Sequence, residues 1–133
     1  MADKGAPAYL ARCQQFVAIH GLQKQANFVG WQADPRPLDE NHQILLMPTT
    51  MREPFGLVIV EAMLRGLAVF APAAYGPAEI LQDGQTGILF QPGQSQSLAE
   101  ALGPYLSQPE VLKQIGLRAQ NYAQQHFALD SVK

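Results

Sequence analysis

Charge is scarce in this chain: 15% of its 133 residues are Asp, Glu, Lys or Arg, and the formal net charge is -2. No long run of either sign occurs, so the basic stripe by which a protein grips a polyanion is missing and no nucleic-acid partner is expected. Cysteine is almost absent as well. Cys13 stands alone, which excludes an internal disulfide, and a lone thiol beside four Met suits a reducing cytoplasm. No apolar stretch approaches the roughly 20 residues that cross a bilayer, and Met1 to Tyr9 lacks the basic-then-apolar order of a secretory leader. No integral membrane segment is expected. Internal repeats are missing, as are an Asp-x-Asp pair and any His or Cys spacing that would hold a metal. The segment FVGWQADP does not supply the G-x-G-x-x-G loop of a dinucleotide-binding domain.

What the chain does have is apolar material, 47% of its residues, enough for one core and one domain over 1–133. Its order alternates. Tyr9, Leu10, Cys13, Phe16, Val17 and His20 share one helical face, and Gly21 is placed to stop that helix. Ala26 to Trp31 reads as a short buried strand, followed by a turn at Asp34, Pro35, Arg36 and Pro37, and Gln43 to Met47 reads as a second strand stopped by Pro48. From Pro54 to Arg65 the spacing becomes helical, with Pro54 in the first turn and Gly66 at the left-handed end. Leu67 to Ala71 and Thr86 to Phe90 are two further strands. Between them, Gly76 to Glu79 opens a short helix and Asp83-Gly84 makes a turn, while Ser95 to Leu106 and Pro109 to Phe127 are helical. Apolar strands separated by helices predict an α/β fold, a Rossmann-like parallel sheet with helices on both faces. Such sheets bind ligands beyond the carboxyl ends of their strands.

The stretch that carries chemistry is Pro48 to Gly66, PTTMREPFGLVIVEAMLRG. Glu53 precedes the helix, and Glu61 lies roughly two turns inside it. Between them the amides near Phe55, Gly56, Leu57 and Val58 leave the positive end of the helix, which suits a phosphate. Gly56 would also let a ligand approach the backbone. An anion at the amides, with hydroxyls held by a carboxylate on each side, describes a sugar joined to a nucleotide through a diphosphate.

The series Glu53-x-Phe55-Gly56 and Glu61, with Pro48-Thr49 before it and GLAVFAP, GPAEI and DGQTGILFQPG after it, resembles the E-x7-E motif and its surroundings in retaining GT-B glycosyltransferases of family 4, group 1. The likeness runs from about Tyr9 to Phe127 and points to part of the C-terminal, donor-binding domain. It implies transfer of a hexose from a nucleotide-diphosphate sugar, used as substrate with no resident cofactor and no metal. It assigns Glu53 to catalysis at the donor sugar and Phe55, Gly56, Leu57 and Val58 to the sugar and diphosphate. Glu61 would hold the ribose, and Gly30 and Trp31 would lie beside the base. Carboxylates suit these tasks because each accepts from two vicinal hydroxyls through charge-assisted bonds.

Plainer readings stand beside several of these. Phe55 and Trp31 could be packing residues, Glu79 could favour its own helix N-terminus, and Tyr9, Phe16, Tyr105, Tyr122 and Phe127 read most simply as core. The resemblance also implies what is missing: the Arg and Lys that clamp the diphosphate, the first two strands and the acceptor-binding domain or partner chain. Truncation at both ends, with Phe127 to Asp130 beginning a crossover helix, and little independent activity are therefore expected. The family's Gly-Gly before the Pro-x-Glu helix stands here as Tyr75-Gly76. The alternative is a non-catalytic interaction domain that forms a homodimer through its exposed sheet edge.

Overall fold

The computed structural model describes residues 6–30, 32–34, 41–48 and 56–127. The chain divides into two units, Met1–Asp34 and Pro35–Lys133.

In the first unit, helix α1 spans Ala6–Ile19. It stops where the sequence places Gly21, whose φ is 67°. Leu22 N–H donates to the Val17 carbonyl (2.8 Å) and Gly21 N–H to that of Ala18 (3.2 Å), the paired bonds of a Schellman ending. Tyr9 and Phe16 are not core residues: they are 66% and 58% exposed, since helical spacing sets a common face and not its burial. The strand expected at Ala26 to Trp31 is also corrected. Residues 26–30 have no regular structure, and the described residues of the first unit hold no strand to pair with them. An apolar run becomes a strand only where a neighbour takes up its backbone bonds. Trp31, like the turn residues Pro35 to Pro37, lies outside the described residues.

The second unit is built on a parallel sheet of β1 (Ile44–Leu46), β2 (Ala68–Pro72) and β3 (Ile88–Phe90), in that spatial order. Ile44 is in register with Ala68, and Phe70 with Ile88. Helix α2 (Leu57–Leu64) links β1 to β2, and the short α3 (Tyr75–Ile80) links β2 to β3. Helices α4 (Ser95–Leu106) and α5 (Pro109–His126) follow, with Pro109 in the first turn of α5 as its fixed φ favours.

β2 is buried along its whole length, which explains its unbroken apolar sequence. On one face Val69 and Ala71 pack with Ile59, Ala62 and Met63 of α2, Ile80 of α3, and Ala119 and Ala123 of α5. On the other, Ala68 and Phe70 pack with Ile88 and Phe90 and with Leu112 and Ile115 of α5, flanked by Leu98, Leu102 and Tyr105. Tyr105, Tyr122 and Phe127 pack against these clusters as expected.

Two close approaches lock α2 in place. Gly66, with φ 78°, ends α2 in a second Schellman pair: Leu67 N–H to Ala62 O (3.1 Å) and Gly66 N–H to Met63 O (2.9 Å). Gly116 of α5 then rides directly over that turn, where a Cβ would stand 2.0 Å from the Gly66 carbonyl oxygen. Gln120 Nε2 donates to the Leu64 carbonyl at 3.0 Å, satisfying one of the last carbonyls of α2.

The outer edge of β3 is closed by side chains. Leu89 N–H donates to Asp83 Oδ1 (3.0 Å) and Gln91 N–H to Ser97 Oγ (2.7 Å). Both donors are thereby withdrawn from pairing with another chain. The expected Asp83-Gly84 turn is present, with Gly84 at φ 80° and its N–H bound to the Gly87 carbonyl (2.8 Å). Buried Thr86 accepts the Gln82 N–H at 2.9 Å, so β3 begins two residues later than the apolar run suggests.

Candidate functional site

Because β1 and β2 are parallel neighbours, the helix between them runs back along the sheet and opens at the strands' carboxyl end. That opening is the N-terminus of α2. Gly56 is its N-cap, with φ 62° and ψ 37° and no side-chain hydrogen bond to the cap. The Gly56 carbonyl accepts from Ile59 (3.0 Å) and Val60 (3.1 Å), so the amides of Leu57 and Val58 precede the helix's own ladder and have no partner within it.

The structure adds a packing reason for glycine at position 56. A left-handed backbone there suits glycine, and a Cβ would stand 2.8 Å from Ile80 Cδ1 of α3. Gly56 is buried, and its missing Cβ leaves room for Ile80 of α3 against the start of α2.

α2 has two sharply different faces. Ile59, Ala62 and Met63 are buried, whereas Leu57 is 68% and Val58 53% exposed and Glu61 is exposed. Positions three and four apart share a helix face, so Glu61 projects on the stripe of Leu57 and Val58. An exposed opening carrying the positive end of a helix, with a carboxylate one turn along, can take a phosphate at the amides and a hydroxyl-bearing group at the acid. Arg65, a further turn on, donates through Nη1 to the Glu61 carbonyl (3.3 Å).

Gly56, Leu57, Val58 and Glu61 are thus brought together. Glu53 and Phe55 lie outside the described residues. Gly30, with φ 71°, belongs to the first unit. Among the described residues no cluster of His, Cys, Asp and Glu could hold a metal, and no helix is long and apolar enough to cross a membrane. One feature escaped sequence reasoning. Tyr75, at the start of α3, has φ 54°, the sole positive value at a non-glycine among the described residues. Its signal was the Tyr75-Gly76 pair where the resembled family has two glycines.

The sequence model of the family described as Glycosyl transferases group 1 matches residues 4–122. The chain belongs to this family. Among curated relatives, the sucrose synthase of Acidithiobacillus caldus is 30% identical over 103 residues, covering 73% of this chain and 13% of the relative. The D-inositol 3-phosphate glycosyltransferase of Streptomyces griseus is 37% identical over 81 residues, 61% of this chain and 17% of the relative. Among solved structures, Anabaena Alr3699/HepE in complex with UDP and glucose superposes with a TM-score of 0.87 at 34% identity, over 96% of this chain and 35% of that one. The C-terminal domain of the group 1 glycosyl transferase LpcC from Francisella tularensis matches with a TM-score of 0.85 at 27% identity, over 96% of this chain and 67% of that one. This group 1 chain therefore has the α/β architecture of part of a GT-B C-terminal domain and spans a minor share of its full-length relatives.

Proposed function

We propose that this group 1 glycosyltransferase chain is a donor-binding portion of a retaining enzyme, which grips a nucleotide-diphosphate hexose at the opening of α2. The observation that carries the reading is the exposed stripe of Leu57, Val58 and Glu61 at the carboxyl end of the parallel sheet. The diphosphate lies on the two leading amides, where the helix dipole and free donors act together. Glu61 accepts from the ribose hydroxyls, and Glu53 is assigned to the hydroxyls of the sugar. The leaving charge falls on peptide dipoles and basic side chains instead of a bound metal. The complexes of Alr3699/HepE with UDP and with UDP-glucose make uridine nucleotides suitable probes.

Transfer needs more than this half-site. An acceptor-binding domain supplies the facing wall and a basic clamp supplies further stabilisation, so the chain by itself is expected to bind donor with little or no turnover. A second reading, self-association through a strand edge, is narrowed by the closed edge of β3 to the β1 side.

The test is a UDP titration followed by amide chemical shifts. The amides of Leu57, Val58 and Glu61 are expected to move together and saturate. Unchanged shifts at millimolar UDP would exclude donor binding by this chain.

A further inference from the structure

We propose that Tyr75 forms the hexose-facing wall of the donor site and sets which sugar that site accepts, an inference that rests on the donor-binding reading of α2.

Three observations carry it. Tyr75 holds a left-handed backbone that an L side chain with a Cβ resists and glycine adopts freely. Tyr75 is 55% exposed, while its successors Gly76 and Pro77 are buried. A strained residue kept on the surface directs attention to a role beyond folding. Placement supplies the role. Tyr75 follows the carboxyl end of β2, the strand parallel to and beside β1, and Ile80, at the other end of the same six-residue helix, packs at the opening of α2 beside Gly56. Because both helices follow the carboxyl ends of neighbouring parallel strands, they begin on one rim of the sheet.

Chemistry then selects the ligand part. With the diphosphate on the Leu57 and Val58 amides and the ribose toward Glu61 inside α2, the sugar must extend the other way, out past the helix start and over the strand ends where Tyr75 sits. A pyranose presents C–H faces as well as hydroxyls. A tyrosine matches both, with an apolar ring and a phenolic hydroxyl.

The experiment measures dissociation constants of UDP, UDP-glucose, UDP-galactose and UDP-N-acetylglucosamine for the natural chain, Tyr75→Gly and Tyr75→Phe. Glycine suits the left-handed backbone, so that variant keeps the fold. UDP affinity is expected to stay within about two-fold in all three chains, because aromatic packing to the sugar adds nothing to UDP itself. The best-bound sugar nucleotide should weaken roughly five-fold in Tyr75→Gly and recover in Tyr75→Phe, the size expected for one aromatic contact. Unchanged sugar-nucleotide affinity in Tyr75→Gly, or equal weakening of UDP and every sugar nucleotide, would overturn the proposal while leaving the α2 site intact. Failure of the natural chain to bind UDP would overturn both.

Discussion

Gly116→Ala is expected to destabilise the second unit by about 3 kcal/mol, the upper part of the range for an overpacked core, and to lower its melting temperature by roughly 10 °C. The new methyl would meet the Gly66 carbonyl oxygen at 2.0 Å, a backbone atom that cannot swing aside as a side chain could. Gly66 is itself held in a left-handed conformation by two hydrogen bonds to the last turn of α2. Either α5 withdraws, opening voids around Ile115 and Ala119, which are almost wholly buried, or the end of α2 is distorted. The gain in helix propensity from Gly to Ala, about 1 kcal/mol, does not offset this. A shift below about 3 °C in thermal unfolding would mean that α5 can slide off the α2–β2 turn at little cost, contrary to the packing described.

Glu61→Gln should leave stability nearly untouched and weaken UDP binding about ten-fold or more, the difference between a charge-assisted pair of hydrogen bonds and a neutral one. Glu61 is exposed, and the hydrogen bond that Arg65 makes to it goes to its backbone carbonyl, which the substitution keeps. Inorganic pyrophosphate, which has no ribose, should bind the natural and variant chains alike. Calorimetric titration of both ligands checks this. A UDP affinity changed by less than two-fold, or a parallel loss for pyrophosphate, would remove Glu61 from the ribose and assign its effect to general electrostatics.

How much of this could be read beforehand follows from how local each cause is. Gly21 and Gly66 announce helix ends because a Schellman turn needs a residue tolerant of positive φ within the same few positions. Pro109 announces a helix start on equally local grounds. The unbroken apolar run around Val69 gives a buried parallel strand, since both faces of β2 are covered, whereas the similar run around Leu45 gives β1, which is only partly buried. The same logic fails at Ala26 to Gly30, a run interrupted by Asn27, with no strand to pair with among the described residues of the first unit. Likewise the helical face of α1 is visible in the sequence, and the exposure of Tyr9 and Phe16 is not.

At the site, the alignment of Leu57, Val58 and Glu61 on one face is a consequence of helical period and was legible. The need for Gly56 was legible only in part, because Ile80, the side chain that fills its missing Cβ position, comes from another helix. The contact between Gly116 and Gly66, fifty positions apart, and the caps that Asp83 and Ser97 place on β3 are tertiary facts with no local signature. Tyr75 lies between these cases: a tyrosine where the family has a glycine is visible, but its left-handed backbone is apparent only from coordinates.

The central claim is that the opening of α2 holds a pyrophosphate with a ribose laid along the helix toward Glu61, and a crystal structure of the chain with UDP tests it most directly. The account predicts phosphate oxygens on the Leu57 and Val58 amides and ribose hydroxyls within hydrogen-bond reach of the Glu61 carboxylate. UDP seated elsewhere on the sheet, or bound there with Glu61 turned into solvent, would contradict it.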